Sequence, residues 1–123
     1  MARILVIDDN EDIRMVVADV LEAAGHEVAQ AADGASGIQL QRTRPAAVVV
    51  TDIVMPEKEG IETIRDLRAE FPDLKIIAMS GALKSSTHLY MARELGAHKV
   101  LHKPFGPGIL VEYVNALLRA PAG

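Results

Sequence analysis

The sequence predicts an α/β fold in which five parallel strands form one sheet with helices on both faces. Apolar runs typical of strands alternate five times with segments whose apolar residues recur at helical spacing. One of these runs, from Ala46 to Val50, has no polar alternation, which is typical of a strand buried on both faces. Because strands joined by right-handed crossovers point in the same direction, we expect all five to end at one edge of the sheet.

Two βα units are predicted in the first part of the chain. Residues 3–7 form an apolar strand, and the helix after it is capped by Asn10 and ends near Gly25. The apolar residues of this helix are Ile13, Val16, Val17, Val20, Leu21 and Ala24. Residues 26–32 form a shorter strand and residues 35–43 a weakly amphipathic helix, so we expect this second unit at an edge of the sheet.

Three further βα units complete the chain. The third strand ends at Asp52 and is followed by an amphipathic helix. Residues 74–79 form the fourth strand, which precedes a helix from about Ser86 to Leu95 with Gly96 as its C-terminal cap. The fifth strand, residues 99–102, precedes a helix with two neighbouring apolar rows. These rows are Ile109, Tyr113 and Leu117, and Leu110, Val114 and Leu118.

Length and composition limit the possible functions. The 123 residues suit one domain, and we expect residues 1–119 to form it and residues 120–123 to be a tail or linker stub. The formal charge of −4 argues against nonspecific binding to nucleic acid or to an anionic membrane surface. The chain has no cysteine and no apolar segment near the roughly eighteen residues that a membrane span needs. We therefore expect a cytoplasmic protein.

Polar residues stand at the ends of four predicted strands. Asp8 and Asp9 follow the first strand, Asp52 ends the third, Ser80 follows the fourth, and Lys103 follows the fifth. Three adjacent carboxylates repel one another unless a cation compensates, and carboxylate oxygens suit Mg²⁺. With an amine and a hydroxyl beside them, they are the groups that phosphoryl transfer to a carboxylate requires. Asp52 taken alone is equally compatible with a simple turn, so the prediction depends on the whole set.

Five short motifs occur in order along the chain. They are Ile7-Asp8-Asp9, Asp52, Met55-Pro56, Ser80-Gly81 and Lys103-Pro104-Phe105. Through these motifs the sequence resembles a response-regulator receiver domain of two-component signal transduction, the CheY-like family, across essentially its whole length. The resemblance implies the flavodoxin-like strand order 2-1-3-4-5.

The resemblance also implies an acceptor and a metal site. Asp52 would be the phospho-acceptor. Mg²⁺ would be held by Asp8 and Asp9, Asp9 more directly, together with Asp52 and the main-chain carbonyl of Val54. The chain would then be a signalling phospho-acceptor that promotes its own phosphorylation and dephosphorylation, not an enzyme with an external substrate.

Further residues and partners follow from the same resemblance. Ser80 and Lys103 would contact the attached phosphoryl group, and the Lys103–Pro104 peptide bond would be cis. The donor would be a histidine kinase or a histidine phosphotransfer protein. No DNA-binding segment follows residue 119, so if the chain is complete we expect the phosphorylated domain to act on a downstream protein and not on nucleic acid. The alternative is that the chain is one part of a larger regulator.

One position departs from the family pattern. Receiver domains commonly carry Tyr or Phe three residues before the lysine, as a ring that turns inward on activation, whereas this chain has Val100 there. His102 or Tyr90 are candidates for a substitute, although a histidine on a short strand or a tyrosine on a surface helix more often only packs. The usual aromatic switch is therefore not expected.

Three other protein classes are alternatives to a phosphorylatable receiver. A haloacid-dehalogenase-type phosphatase carries a second Asp two residues after its nucleophile, where this chain has Asn10 or Val54. A flavodoxin would bind a phosphate at its first βα loop, and the acidic residues 8–12 would repel it. A phosphorylation-independent, receiver-like docking module would normally have lost one of the key groups, and this chain retains them all.

Overall fold

The structure is a computed structural model that describes residues 2–53, 60–80, 90, 92–94 and 96–120. The strands are β1 (Arg3–Ile7), β2 (Glu27–Ala31), β3 (Val48–Asp52), β4 (Lys75–Ser80) and β5 (Lys99–His102). The helices with defined bounds are α1 (Glu11–Ala23), α2 (Gly34–Thr43), α3 (Gly60–Glu70) and α4 (Pro107–Arg119). This order confirms the predicted alternation of strands and helices.

The helix predicted at residues 86–95 is described only in part. Residue 90 and residues 92–94 are helical, as predicted, and its remaining residues lie outside the described part of the chain. Gly96, the expected C-terminal cap, has a φ of 122°, a backbone conformation that glycine adopts without strain. None of the helices in the described residues is long and apolar enough to cross a membrane.

The five strands form one parallel sheet in the order β2-β1-β3-β4-β5, as the family resemblance implied. Every residue of β3 and β4 is buried, which confirms that the valine run is a central strand. The second βα unit lies at an edge of the sheet, also as predicted. All five carboxyl ends therefore meet at one edge.

Side chains from the two faces of the sheet form two separate apolar clusters. On one face, Leu5, Val49 and Ile76 pack with residues of α2 and α3, including Ile38 and Leu67. On the other face, alternate strand residues pack against α1 and α4. The members of this second cluster include Ile4, Val6, Val50, Ile77, Val17, Leu21, Leu110 and Val114. Full burial of one such side chain stabilises a fold by about 1.5–3 kcal/mol, so both layers hold the carboxyl edge firmly in place.

Local hydrogen bonds explain where α1 and α2 begin. The Asn10 side chain accepts a hydrogen bond from the Ile13 amide at 3.0 Å, which confirms Asn10 as the N-terminal cap of α1. Asp33 caps α2 by accepting a hydrogen bond from the Ser36 amide at 2.7 Å. This bond lowers the pKa of the Asp33 carboxyl below its ordinary value. Each side chain thereby satisfies an amide that the first helical turn leaves without a partner.

Two sequence expectations need correction. Strand β3 begins at Val48 and not at Ala46, because the Gln41 side-chain amide bonds both main-chain groups of Ala46. Val16, predicted on the apolar face of α1, is 62% exposed, and Ile109 of α4 is 37% exposed. The buried faces of α1 and α4 therefore include fewer residues than the apolar pattern of the sequence predicted. The remaining apolar side chains are partly or largely exposed to solvent.

Candidate functional site

Three polar residues at the carboxyl edge of the sheet have little or no exposure to solvent. Asp8, directly after β1, is 0% exposed, and Asp52, the last residue of β3, is 5% exposed. Ser80 ends β4 and is fully buried, whereas Asp9 is exposed. Burying carboxylates is unfavourable unless other charges or hydrogen bonds stabilise them, so their neighbours define what this site can do.

The three aspartates lie close enough to share one ion. One carboxylate oxygen from each of Asp8, Asp9 and Asp52 lies within 4.8 Å of the others. Carboxylate oxygens are hard ligands that fit Mg²⁺, and an ion there would reach solvent on the Asp9 side. The chain's own donor set therefore fits the predicted metal. Val54, whose carbonyl was expected to be a further ligand, lies outside the described residues.

Lys103 brings a positive charge into this acidic cluster. Its Nζ lies 3.0 Å from Asp8 Oδ2, to which it donates a hydrogen bond, and 3.5 Å from Asp52 Oδ1. The lysine side chain is only 16% exposed, so water screens these attractions less than it would on an open surface. One ammonium thus compensates part of the repulsion among three carboxylates.

The main chain around Lys103 sets the position of this ammonium. The Lys103 amide donates to the Ser80 carbonyl at 2.8 Å, which prolongs the pairing of β4 and β5. The Lys103–Pro104 peptide bond is cis, as the family resemblance implied. The predicted serine and lysine are therefore brought together at the ends of two neighbouring strands.

Asp8 is held at several of its polar atoms. Its amide donates to the Ala31 carbonyl at 3.1 Å, and its Oδ1 accepts a hydrogen bond from the Asn10 amide at 2.9 Å. Asn10 therefore orients Asp8 and also caps α1. Because Lys103 binds the second carboxylate oxygen, neither oxygen of Asp8 is free to turn away from the cluster.

The positions considered for an aromatic switch have different environments. Val100 is half-buried and packs against the cluster that contains Ala78. Tyr90 is exposed on its helix, and His102 is exposed at the end of β5 opposite Ser80. Val100, a residue of β5, therefore packs against this apolar cluster as an ordinary aliphatic side chain.

Sequence reasoning missed an apolar groove beside the acidic cluster. The groove has a volume of about 560 Å³ and lies between the start of α1 and the segment that follows β5. Its lining residues are Asp12, Ile13, Val16, Val17, Lys103, Pro104 and Phe105. The sequence did show Val16 as an apolar residue of α1. That Val16 and Phe105 line the same groove, however, is visible only in the folded structure. We call this surface the α1 groove.

Sequence comparison identifies the family. A family model for the response regulator receiver domain matches residues 4–115, which include all the predicted site residues. The chain belongs to the response-regulator receiver family. This assignment favours the receiver interpretation over the phosphatase and flavodoxin alternatives.

Individual relatives of this receiver domain cover nearly its whole length. The chemotaxis protein CheY of Thermotoga maritima is 34% identical over 114 residues, which cover 92% of this chain and 94% of that protein. The response regulator receiver protein CpdR of Brucella abortus is 37% identical over 120 residues, 98% of this chain and 99% of the relative. The crystal structure of the receiver domain of NtrX from Brucella abortus matches with a TM-score of 0.90 at 28% identity, covering 96% of this chain and 99% of that one.

Proposed function

We propose that this receiver domain accepts a phosphoryl group on Asp52 from a phospho-histidine protein, with Mg²⁺ bound by Asp8, Asp9 and Asp52. Phosphorylation would then change the affinity of the domain for a downstream protein. The observation that carries the proposal is the position of the Lys103 ammonium, 3.0 Å from Asp8 and 3.5 Å from Asp52 in a mostly buried site.

The charge balance of the site supports an acceptor role for Asp52. Three carboxylates and one lysine leave the cluster with a formal charge of −2. A phosphoryl donor is also anionic, so its approach to Asp52 is unfavourable until positive charge is added. Mg²⁺, when bound, would neutralise charge on the phosphoryl oxygens during transfer.

The proposed reaction requires the phospho-histidine donor, this site and Mg²⁺. An oxygen of Asp52 attacks the phosphorus atom, a P–O bond forms, and the P–N bond to the donor histidine breaks. The imidazole nitrogen leaves with the bonding electrons and takes up a proton from water. Lys103 would attract an oxygen of the new phosphoryl group, and the Ser80 hydroxyl would donate a hydrogen bond to it.

The α1 groove supports a protein as the donor. Lys103 lines both the groove and the acidic cluster, so a partner seated in the groove would hold its phospho-histidine close to Asp52. The exposed side chain of Val16 and the ring of Phe105 provide the apolar contacts that protein interfaces favour. A histidine kinase or a histidine phosphotransfer protein fits this surface.

The remaining expectations are part of the same proposal. Residues 1–119 would form the receiver and residues 120–123 a tail, which is supported by the end of α4 at Arg119. The donor and the target would be met in the cytoplasm, and the output would be contact with a protein. The docking-module alternative shares the fold but needs no phosphorylation, so the acceptor chemistry distinguishes the two.

Phosphorylation by a small-molecule donor tests the proposal directly. The protein is incubated with acetyl phosphate and Mg²⁺, and its intact mass is measured. We expect one phosphoryl adduct in the parent, none in Asp52→Asn, and none when EDTA replaces Mg²⁺.

Asp33→Asn is the matched control, because Asp33 is an aspartate at the same end of the sheet whose carboxylate caps α2. This variant should form the adduct like the parent. An adduct that persists in Asp52→Asn would refute the assignment of the acceptor, and one that forms equally in EDTA would refute the role of the metal. A parent with no adduct under any condition would support the docking module.

A further inference from the structure

Arg14 of α1 joins three elements of the fold behind the acidic cluster. Its Nη1 donates a hydrogen bond to the main-chain carbonyl of Asp8 at 3.0 Å. Its Nε donates to Oε1 of Gln30, on the edge strand β2, at 3.2 Å. The guanidinium is half-buried, and it contacts the main chain of the acidic pair while Gln30 fixes its orientation.

We propose that Arg14 is a positioning residue for the Asp8–Asp9 pair, with Gln30 as its anchor. The inference rests on the proposed function, because it concerns how that pair is held for Mg²⁺. Arg14 does not contact the ion in this account. It acts through the peptide group that links the two aspartates.

The geometry explains why this peptide group needs a partner. The Asp8 amide, which belongs to the preceding peptide group, donates to the Ala31 carbonyl of β2. The Asp8 carbonyl, which belongs to the peptide group between the two aspartates, accepts a hydrogen bond from Arg14. A peptide group is planar, so fixing its carbonyl also fixes the direction in which the chain enters Asp9. The Asp9 carboxylate is exposed, and the packing that orients Asp8 does not enclose it. A charge-assisted hydrogen bond from an arginine is a strong restraint on such a position.

A positioning role and a purely electrostatic role predict opposite changes in Mg²⁺ affinity when Arg14 is removed. The guanidinium is positive, so its charge alone repels Mg²⁺, and removing it should tighten metal binding. If Arg14 orders the ligands, removing it should weaken metal binding instead. Gln30→Ala separates the effects further, because it loosens the arginine without changing any charge.

The test is a calorimetric titration of the full chain with Mg²⁺. We expect Arg14→Ala to raise the Kd about tenfold, the scale seen when groups that orient metal ligands are removed. Gln30→Ala should raise the Kd about threefold, since the guanidinium keeps one of its two bonds. The Kd of Arg14→Lys should lie between those of the parent and Arg14→Ala. A lysine ammonium cannot donate to the Asp8 carbonyl and to Gln30 with the fixed geometry of a guanidinium.

Arg42→Ala is the control for loss of one positive charge. Arg42 binds Glu70 on the far side of the sheet, and its removal should leave the Kd within about twofold of the parent. With acetyl phosphate, Arg14→Ala should need more Mg²⁺ but reach nearly the parent rate at saturation. This split is expected of a residue that positions metal ligands, and a merely structural residue would not produce it.

Each result decides between the proposals. A parent that binds no Mg²⁺ contradicts the proposed function, and this inference with it. A parent that binds Mg²⁺, with unchanged or tighter binding in both Arg14→Ala and Gln30→Ala, contradicts this inference alone. If Arg14→Ala does not fold, Gln30→Ala decides by itself, because Gln30 is exposed on the edge strand and its truncation should leave the core intact.

Discussion

In the described part of the chain, the carboxyl edge of the sheet has three clustered carboxylates, two of which pair with one lysine. At the amino edge, one carboxylate is shared by two arginines. Glu27, the first residue of β2, accepts hydrogen bonds from both Arg3 and Arg44. Arg3 also donates to the Arg44 carbonyl at 3.1 Å. The carboxyl edge of the sheet thus carries an excess of negative charge, whereas the carboxylate at the amino edge is fully paired with arginines.

The two edges also differ in burial. Asp8 and Asp52 are almost inaccessible to solvent, while the side chains of Glu27 and Arg44 are about half exposed or more. Exposed ion pairs typically contribute 0–1 kcal/mol, but leaving a buried charge without its partner costs about 3–5 kcal/mol. The charges of the amino edge are therefore paired within the fold, whereas the carboxyl edge keeps an excess of negative charge that a bound cation would offset.

The largest effect should follow removal of the lysine from the carboxyl edge. Lys103→Met keeps most of the aliphatic stem and removes the ammonium that binds Asp8 and Asp52. We expect the free energy of unfolding in EDTA at low ionic strength to fall by about 3 kcal/mol, because buried carboxylates lose their cation. Urea melts of the parent and the variant measure this difference.

Arg44→Ala is the control from the amino edge. It removes one arginine from Glu27, and its cost should stay below about 1 kcal/mol because the group is exposed. Adding Asp52→Asn to Lys103→Met should recover part of the stability, since fewer charges are then left together. Equal costs at the two edges, or no recovery in the double variant, would contradict the distinction drawn between them.

A smaller effect should come from Mg²⁺ itself. Because the folded site binds the ion and the unfolded chain has no comparable site, Mg²⁺ at ten times its Kd should add about 1.4 kcal/mol to the free energy of unfolding. Asp52→Asn removes one repelling charge, so it should raise stability in EDTA by about 1 kcal/mol and shrink the Mg²⁺ increment. The measurement is a set of four urea melts, each protein with EDTA and with millimolar Mg²⁺.

Glu27→Gln removes a carboxylate from the amino edge and is the matched control. Its Mg²⁺ increment should equal that of the parent, because the ion binds at the other end of the strands. A parent without any Mg²⁺ increment, together with an Asp52→Asn variant that gains nothing in EDTA, would mean that the three aspartates do not act as one site.

Most of the fold could be predicted because its determinants are local. The valine run before Asp52 and the cap at Asn10 are read from neighbouring residues, and both were confirmed. The members of the site could be predicted as well, since parallel strands bring Asp8, Asp52 and Lys103 to one edge whatever the details of packing. The bonds between Lys103 and the two aspartates follow from that topology.

The features that were missed depend on contacts between distant segments. The α1 groove needs Val16 beside Phe105, and nothing local to either residue indicates the other. The role of Arg14 depends on Gln30, sixteen residues later and on a different strand. Gln41 shortened β3 through its side chain, which helical periodicity cannot indicate. Such pairings become visible only when the elements have been placed.

His98 at the amino edge was also missed. The Ile76 amide donates to His98 Nδ1 at 3.2 Å, and the His98 amide donates to the Ile76 carbonyl at 2.8 Å, so the ring continues the pairing of β4 and β5. Burial lowers the pKa of His98, and the positive charges of Arg68 and Lys75 lower it further. The fold therefore favours the neutral imidazole of His98, in which Nδ1 accepts the hydrogen bond from the Ile76 amide.

The smallest predicted effect is a pH dependence that belongs to the amino edge alone. Because the pKa of His98 is lower in the folded chain than its ordinary value of 6.5, the unfolded chain binds the proton first as pH falls. The contribution of His98 to stability is thus fully present above pH 6.5 and is lost as the pH falls toward the folded pKa.

His98→Asn keeps an acceptor for the Ile76 amide but does not titrate. Between about pH 7.5 and about pH 5.5, urea melts should show the parent losing less than about 1 kcal/mol relative to this variant, since the ring is partly exposed. The two proteins differ at no other residue, so parallel stability curves would show that His98 is not held neutral by this edge.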